Sequence, residues 1–392
     1  MKILLIAPQP FFEKRGTPLA VSVLCRALSE LGHSVDLVTY HIGEPWSFPA
    51  IEHHRNINIP YIHSVNKGLS STKLFLDFFV FIKAVILLLK NRYDVVHGVE
   101  EGAIMGVVLK SLFKTKLVYD MDSSIPEQIS ESGSPLWNRA PVVRLADRLE
   151  GWTVQHSDLV LAVCTALKER VLSIAPDKSV AVLEDIPVVE KAPASLIDDM
   201  KRIRSELSLG DASCVVYTGT FENYQGIDLL LKSIPLVVKR RQNVIFVLAG
   251  GQADQIESVL QAVEQTGITH NVRILGRRPM EEMPAFMALA DVLVSPRTLG
   301  RNTPMKLYSY LQSGTPVVAT RLLTHTQVLD DTVAVLTEAT PEEFASGIAR
   351  LLDDNDLGQR LASAAAEYVE KNFSYGAFME KVRQAYTQVE LQ

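Results

Sequence analysis

Arg297, Arg301 and Lys306 fall within ten consecutive residues, around the pair Thr303-Pro304. The stretch opens where an apolar run ends at Ser295 and passes through Asn302, and Gly300 permits a turn in it. Thr303 reads as an N-cap and Pro304 as the first helical residue. A helix starting there would aim free backbone N–H groups and the positive end of its dipole back at the strand end, which makes an anion site. A cation in the first turn, Lys306, opposes the dipole unless an anion sits there. Each cation alone reads as a solvated surface charge. Three of them around one cap point to a phosphate.

A second group is acidic. Asp120 and Asp122 follow the apolar run Lys116–Asp120. A carboxylate at Asp122 could accept a hydroxyl proton, or either residue could cap the next segment; both readings stand. The two are spaced like part of a metal site, but no third ligand accompanies them. Glu100 and Glu101 follow the strand that ends at His97 and read as helix-capping residues. His33 and His97 read as structural.

These residues need a scaffold. The chain has 392 residues, more than a single core of ~250–300 usually holds, so two domains are expected. A 47% hydrophobic and 21% charged composition fits a globular protein and excludes long disorder. The net charge of −6 argues against a broad phosphate-reading basic face, so nucleic acid is not an expected partner. Cys25, Cys164 and Cys214 lie far apart, with neither metal-ligand nor disulfide spacing, which suits a reducing cytoplasm. Ile3–Ala7 stops at Pro8 and reads as a buried strand rather than a signal peptide. Asp77 and Lys83 interrupt the apolar segment from Leu74 to Leu89, leaving less than the ~18 residues a membrane span needs.

Short apolar runs alternate with helical patterns along the whole chain. Strands are expected at Lys2–Ala7, Val35–Thr39, Asp94–His97, Lys116–Asp120 and Leu159–Val163. Helices are expected at Thr17–Leu31, Thr72–Asn91, Ala103–Phe113, Ala140–Gln155 and Ala166–Ser173. Asp185–Pro193 breaks the rhythm and reads as a linker. A second α/β series then runs from Cys214–Thr218 to a last helix, Tyr375–Val389. The helix after Ser295 is expected at Pro304–Ser313. This alternation predicts parallel sheets built from βαβ units, with ligands at the carboxyl ends of the strands.

The stretch Ser295–Thr320, ending Ser-Gly-Thr-Pro-Val-Val-Ala-Thr, resembles the nucleotide-sugar-binding helix of family 4 glycosyltransferases. The resemblance covers nearly the whole chain. Arg15-Gly16-Thr17 is similar to that family's glycine loop, and Gly32-His33-Ser34-Val35 to the end of its first βα unit. Ala162–Lys168 is similar to its strand-to-helix turn before the linker. Tyr217-Thr218-Gly219-Thr220-Phe221 with Gly226-Ile227-Asp228-Leu229-Leu230 is similar to the opening of its donor domain. Leu275-Gly276-Arg277 is similar to its base-binding strand end, and the helix after Phe373-Ser374-Tyr375 to the segment that crosses back. The fold implied is α/β of the GT-B type, two Rossmann-like domains with a cleft between them. Residues 1–186 would bind the acceptor, residues 187–374 the nucleotide sugar, and residues 375–392 would form the crossing helix.

Several positions depart from the family. Its two motif glutamates, one on the donor sugar and one on the ribose, correspond to Arg301 and Ser309. Its diphosphate-binding arginine and lysine correspond to Thr220 and Gln225, and its first-domain histidine to Asp122. The set is expected to compensate: Arg297 and Arg301 supply the lost charge as guanidinium forks. Arg301 could instead meet an acidic donor such as a uronate. The implied site is Asp122 and Arg301 as catalytic residues. Gly16, Thr17, Gly219, Thr220, Gln225, Arg277, Arg297, Asn302, Thr303, Lys306 and Ser309 would bind substrate.

The implied activity is sugar transfer from a nucleoside diphosphate sugar to a hydroxyl acceptor with retention of configuration. The nucleotide sugar is a co-substrate, and no cofactor or metal is expected. A non-catalytic nucleotide-binding subunit and a nucleotide-sugar epimerase are the alternatives. On the acceptor side, Lys67, Lys73, Lys83, Lys90, Arg92, Lys110, Lys114 and Lys116 face only Asp77, Asp94, Glu100 and Glu101. With the apolar segment Leu74–Ile82 among them, that excess reads either as a surface for an anionic membrane or as a buried helix with cations outside. A lipid-linked acceptor or a cell-surface glycan precursor, met at the inner face of the cell membrane, is the corresponding expectation.

Overall fold

The computed structural model describes residues 1–14, 16–65, 70–131, 139–187 and 195–391. The chain divides into two units, Met1–Glu184 with Phe378–Gln392, and Asp185–Ala377.

The first unit runs β1 (Lys2–Ile6), α1 (Gly16–Glu30), β2 (Ser34–Thr39), β3 (Ile51–Arg55), α2 (Ser71–Lys90), β4 (Val95–Val99), α3 (Glu101–Phe113), β5 (Lys116–Met121), α4 (Ile125–Glu131), α5 (Ala140–His156), β6 (Leu159–Ala162), α6 (Thr165–Ile174) and β7 (Val180–Val182). Its strands form one parallel sheet in the order β3-β2-β1-β4-β5-β6-β7. Helices cover parallel sheets on both faces, so β1 and β4 are buried beyond Lys2 and are apolar except for Lys2 and His97. Leu76, Val80, Ala84 and Leu87 of α2 recur at helical spacing and pack on Leu4, Ile6 and Val96. Burying each of Leu76, Val80 and Leu87 contributes about 1.5–3 kcal/mol. Ser70 caps α2 by accepting the Lys73 N–H.

The second unit runs α7 (Leu196–Glu206), β8 (Ser213–Thr218), α8 (Ile227–Arg240), β9 (Val244–Ala249), α9 (Ala253–Thr266), β10 (Val272–Gly276), α10 (Met283–Ala288), β11 (Val292–Ser295), α11 (Lys306–Gln312), β12 (Val317–Thr320), α12 (Leu323–Thr326), β13 (Val335–Thr337), α13 (Pro341–Asp353) and α14 (Asn355–Phe373). Its parallel sheet has the order β10-β9-β8-β11-β12-β13. The last helix, α15 (Tyr375–Leu391), joins the first unit from Phe378 onward.

Both sheets reverse their winding once, between β1 and β4 and between β8 and β11. The carboxyl ends flanking such a reversal are where ligands sit in open α/β sheets. Close backbone approach marks the first of them. A Cβ on Gly102 would stand 2.3 Å from the carbonyl oxygen of Ile6, so only glycine lets α3 start there.

The sequence reading omits β3, β7, α4, α7, α12 and β13. β3 is a sheet edge with a single apolar residue, Ile51, and carries no period-2 signal. β7 and β13 are three residues long. The expected linker lies outside the described residues from position 188 onward.

Candidate functional site

In the second unit, β8 ends at Thr218 and the chain turns through Gly219-Thr220. Gly219 takes φ +137, a backbone that side-chain-bearing residues rarely adopt. The Tyr217 hydroxyl donates to the Thr220 carbonyl at 2.6 Å, which fixes the turn. On the neighbouring strand, β11 ends at Ser295 and leads through a loop into α11. The Thr218 N–H donates to the Tyr310 hydroxyl oxygen at 2.7 Å, tying α11 to the end of β8. These anchors deliver Lys306, the first residue of α11, to the β8 turn. Its Nζ lies 3.4 Å from Gln225 Oε1 and 3.8 Å from the centre of the Tyr217 ring. Among the described residues it meets no carboxylate. Burial, and then the nearby charge of Arg297, push its pKa well below the usual lysine range.

Arg297 corrects the expectation placed on it. Its guanidinium turns into its own loop and is almost wholly buried. Nε donates to Leu299 O at 2.7 Å, Nη1 to Asn302 O at 3.1 Å and Nη2 to Asn302 Oδ1 at 3.0 Å. The guanidinium also lies over the Tyr224 ring, 5.0 Å from its centre. Gly300 makes this possible, because a Cβ there would be 2.4 Å from Nη2. Arg297 is therefore a brace for the loop rather than a fork presented to a diphosphate. Asn302 belongs to the same brace, and its carbonyl also accepts the Thr324 hydroxyl at 2.7 Å.

The expected helix start is also corrected. α11 begins at Lys306, with Met305 at the cap position, not at Pro304. The braced loop buries Thr303 and Pro304, and the Pro304 carbonyl accepts the Leu307 N–H in a turn at 2.9 Å. Thr303 Oγ1 caps nothing; it is buried without a hydrogen-bond partner among the described residues. α11 spans only two turns and has no side-chain cap, so its dipole is small. Arg301 is exposed, and its carbonyl accepts Gln327 Nε2 at 2.6 Å. Ser309 is half-buried, one turn along α11 from Lys306. Arg277 is exposed just beyond β10, two strands from β8. The structure thus groups Gly219, Thr220, Gln225 and Lys306, with Ser309 on the same helix, and sets Arg277 apart.

In the first unit, Gly16 and Thr17 open α1, with Gly16 at φ +36; Arg15 lies outside the described residues. Asp122 is half-buried just past β5. Glu100 does not serve as the expected cap. It holds φ +48 and makes no side-chain cap bond. Its carboxylate accepts Ser123 Oγ at 2.7 Å and Gln128 Nε2 at 2.9 Å. Burial, and then the charge of Glu101, raise its pKa. Glu101 pairs with Lys73 at 2.6 Å, while Asp77 accepts the Tyr40 hydroxyl at 2.5 Å. His97 stands between Tyr386 Oη at 2.7 Å and Asp120 Oδ2 at 3.2 Å.

Among the described residues, no third potential metal ligand gathers with Asp120 and Asp122. Asp36, Glu52 and His54 do converge on β2 and β3, but the Tyr93 hydroxyl and Lys2 Nζ already satisfy Asp36. The hydroxyls of Tyr217, Tyr310 and Tyr386, none of them an expected site residue, hold these edges together. Tyr217 and Tyr310 stand inside the family-like stretches, whereas Tyr386 lies in a polar helix segment with no local signal.

Comparison with known proteins covers both units. The family described as "Glycosyl transferase 4-like domain" matches residues 15–183, and "Glycosyl transferases group 1" matches residues 212–354. A Corynebacterium diphtheriae protein named D-inositol 3-phosphate glycosyltransferase is 25% identical over 388 residues, 95% of this chain and 89% of that one. A Mycolicibacterium smegmatis protein named GDP-mannose-dependent alpha-(1-6)-phosphatidylinositol monomannoside mannosyltransferase is 26% identical over 249 residues, 61% of this chain and 64% of that one. Among solved structures, sucrose-phosphate synthase from Thermosynechococcus elongatus superposes with a TM-score of 0.79 at 19% identity, covering 100% of this chain and 99% of that one. Anabaena HepE in complex with UDP-glucose gives 0.75 at 17% identity, covering 99% of each chain.

Proposed function

The chain belongs to the family 4 glycosyltransferases of GT-B fold, enzymes that transfer sugars, and we propose that it moves a sugar from a nucleoside diphosphate donor to a hydroxyl acceptor with retention of configuration. The observation that carries this reading is Lys306. A desolvated ammonium beside a tight glycine turn, with no carboxylate to meet it among the described residues, is matched by an anion. A diphosphate on the Gly219-Thr220 turn would supply that anion.

In this reading Lys306 stabilises the charge that develops on the leaving diphosphate, with Gln225 orienting the ammonium. Ser309 meets the ribose, and Arg277 lies toward the base. The bond from the anomeric carbon to the diphosphate oxygen breaks, and the bond to the acceptor oxygen forms on the same face. The acceptor proton passes to the departing diphosphate, so no side-chain nucleophile is needed. Asp122 contacts a substrate hydroxyl at the edge of the first sheet. Arg301, exposed at its loop, is left to the donor sugar, and a uronate is the donor whose charge it would match. The named relatives act on an inositol phosphate and on a phosphatidylinositol mannoside. They support a phosphorylated or lipid-borne hydroxyl acceptor, met on the cytoplasmic side of a membrane.

The test is a transfer assay with UDP-, GDP- and ADP-linked hexoses and a UDP-uronate, with the product anomer assigned by NMR. Free nucleoside diphosphate should appear in step with a product of unchanged configuration. Product of inverted configuration, or no turnover with any nucleoside diphosphate sugar, would remove the reading.

A further inference from the structure

We infer that the outward face of α2, α3 and α5 is a docking surface for an anionic lipid bilayer. The three helices follow crossovers that step the same way across the first sheet, and right-handed connections place them in one layer. α2 packs on α3, and α3 on α5. Of the eighteen large apolar side chains that are exposed among the described residues, eleven lie on these three helices. Phe78, Ile82 and Leu89 line α2 at helical spacing, Leu112 lies on α3, and Leu149 and Trp152 lie on α5. Single exposed apolar residues are ordinary. A run of them along three adjacent helices marks an interaction surface.

The charges name the partner. Lys83 and Lys90 flank the α2 stripe two turns apart, and Arg92 and Lys114 follow the ends of α2 and α3. Arg148 adjoins Leu149 on α5. None of the five forms an ion pair among the described residues. The other cations of this region are consumed: Lys73 pairs with Glu101, and Lys110 with Asp158. Asp147, the exposed acid on α5, is held by Arg170. An apolar face rimmed by unpaired cations, on a chain of net charge −6, is complementary to acyl chains beneath anionic headgroups. A second copy related by a two-fold axis would set these cations against themselves.

The purpose of such docking rests on the proposed lipid-borne acceptor. The binding itself is read without donor or acceptor, so the two readings fail separately. The experiment is co-sedimentation of the full chain with phosphatidylcholine vesicles and with vesicles containing phosphatidylglycerol. Binding is expected only to the second kind, weakening as salt rises. Phe78→Glu/Leu89→Glu and Lys90→Glu/Arg92→Glu should each weaken it by about tenfold or more. Near-ultraviolet circular dichroism of both variants should match the parent, since every substituted side chain is exposed. Equal binding to neutral vesicles, or none to either, overturns the proposal. So does a wild-type dimer that Phe78→Glu dissociates, which would assign the face to a second copy.

Discussion

The ammonium of Lys306 lies 3.4 Å from the amide oxygen of Gln225, bringing α11 onto the turn that follows β8. Family resemblance expects a lysine of that turn itself, at the position Gln225 occupies. Here a neutral amide fills the position, and the cation reaches the same place from the neighbouring strand's helix. In the proposed function Lys306 supplies the charge missing at Thr220 and Gln225, while Arg297 hydrogen-bonds within its own loop.

Lys306→Ala should weaken nucleoside diphosphate binding by about 10–100-fold, the range for one charge-assisted hydrogen bond. Titration calorimetry with UDP, GDP and ADP measures it. An unchanged Kd for the diphosphate that binds would take Lys306 out of the site.

Binding should also take up protons. The free protein holds the Lys306 pKa down through burial and Arg297, and a bound diphosphate raises it. Between those two values the complex binds more protons than the free protein, so affinity falls as pH rises through that window. Calorimetry in two buffers of different ionisation enthalpy reports the uptake. Lys306→Ala should abolish it.

Arg297→Ala should destabilise the second unit by about 2–4 kcal/mol, because the Leu299 and Asn302 carbonyls lose buried donors. That corresponds to a fall in Tm of about 5–15 °C for a unit of this size. Arg301→Ala, at an exposed position, should cost less than about 1 kcal/mol. Equal losses in thermal melts would refute the brace.

Asp77→Asn should stabilise the protein at pH 8 and leave it little changed at pH 4. Burial raises the Asp77 pKa to about 7, above its unfolded value. The folded state therefore binds more protons, and stability is lost as pH rises from about 4 to about 7. The cost above that window is at most about 4 kcal/mol. The asparagine keeps an acceptor for the Tyr40 hydroxyl without a charge to desolvate. Urea unfolding across pH checks it, and a flat difference between variant and parent would contradict the sign.

Tyr386→Phe should cost about 1–3 kcal/mol, since it strips a buried partner from His97 Nδ1. The urea midpoint of the first unit should fall with its m-value unchanged. An unaltered midpoint would show that α15 does not hold the unit through this bond.

The alternation of apolar runs and amphipathic segments determined two parallel α/β sheets, because strands buried on both faces must be apolar and crossovers must be amphipathic. The motif residues also marked the strand ends at Gly219, Ser295 and Asp122, on which the proposed function draws. Local patterns could not say which way a side chain turns. Arg297 and Lys306 are both cations near one cap signal. Only the packed loop, with Gly300 admitting the Arg297 guanidinium, sent one inward and left the other to the β8 turn. The helix start moved from Pro304 to Lys306 for the same reason, since burial of the loop outweighed the capping preference of Thr303. Tyr386 and His97 meet across 289 positions of sequence, and no local pattern encodes that distance. The sequence determined which elements form. The tertiary structure decided which charges face inward, because desolvation and hydrogen-bond geometry depend on neighbours that are remote in the chain.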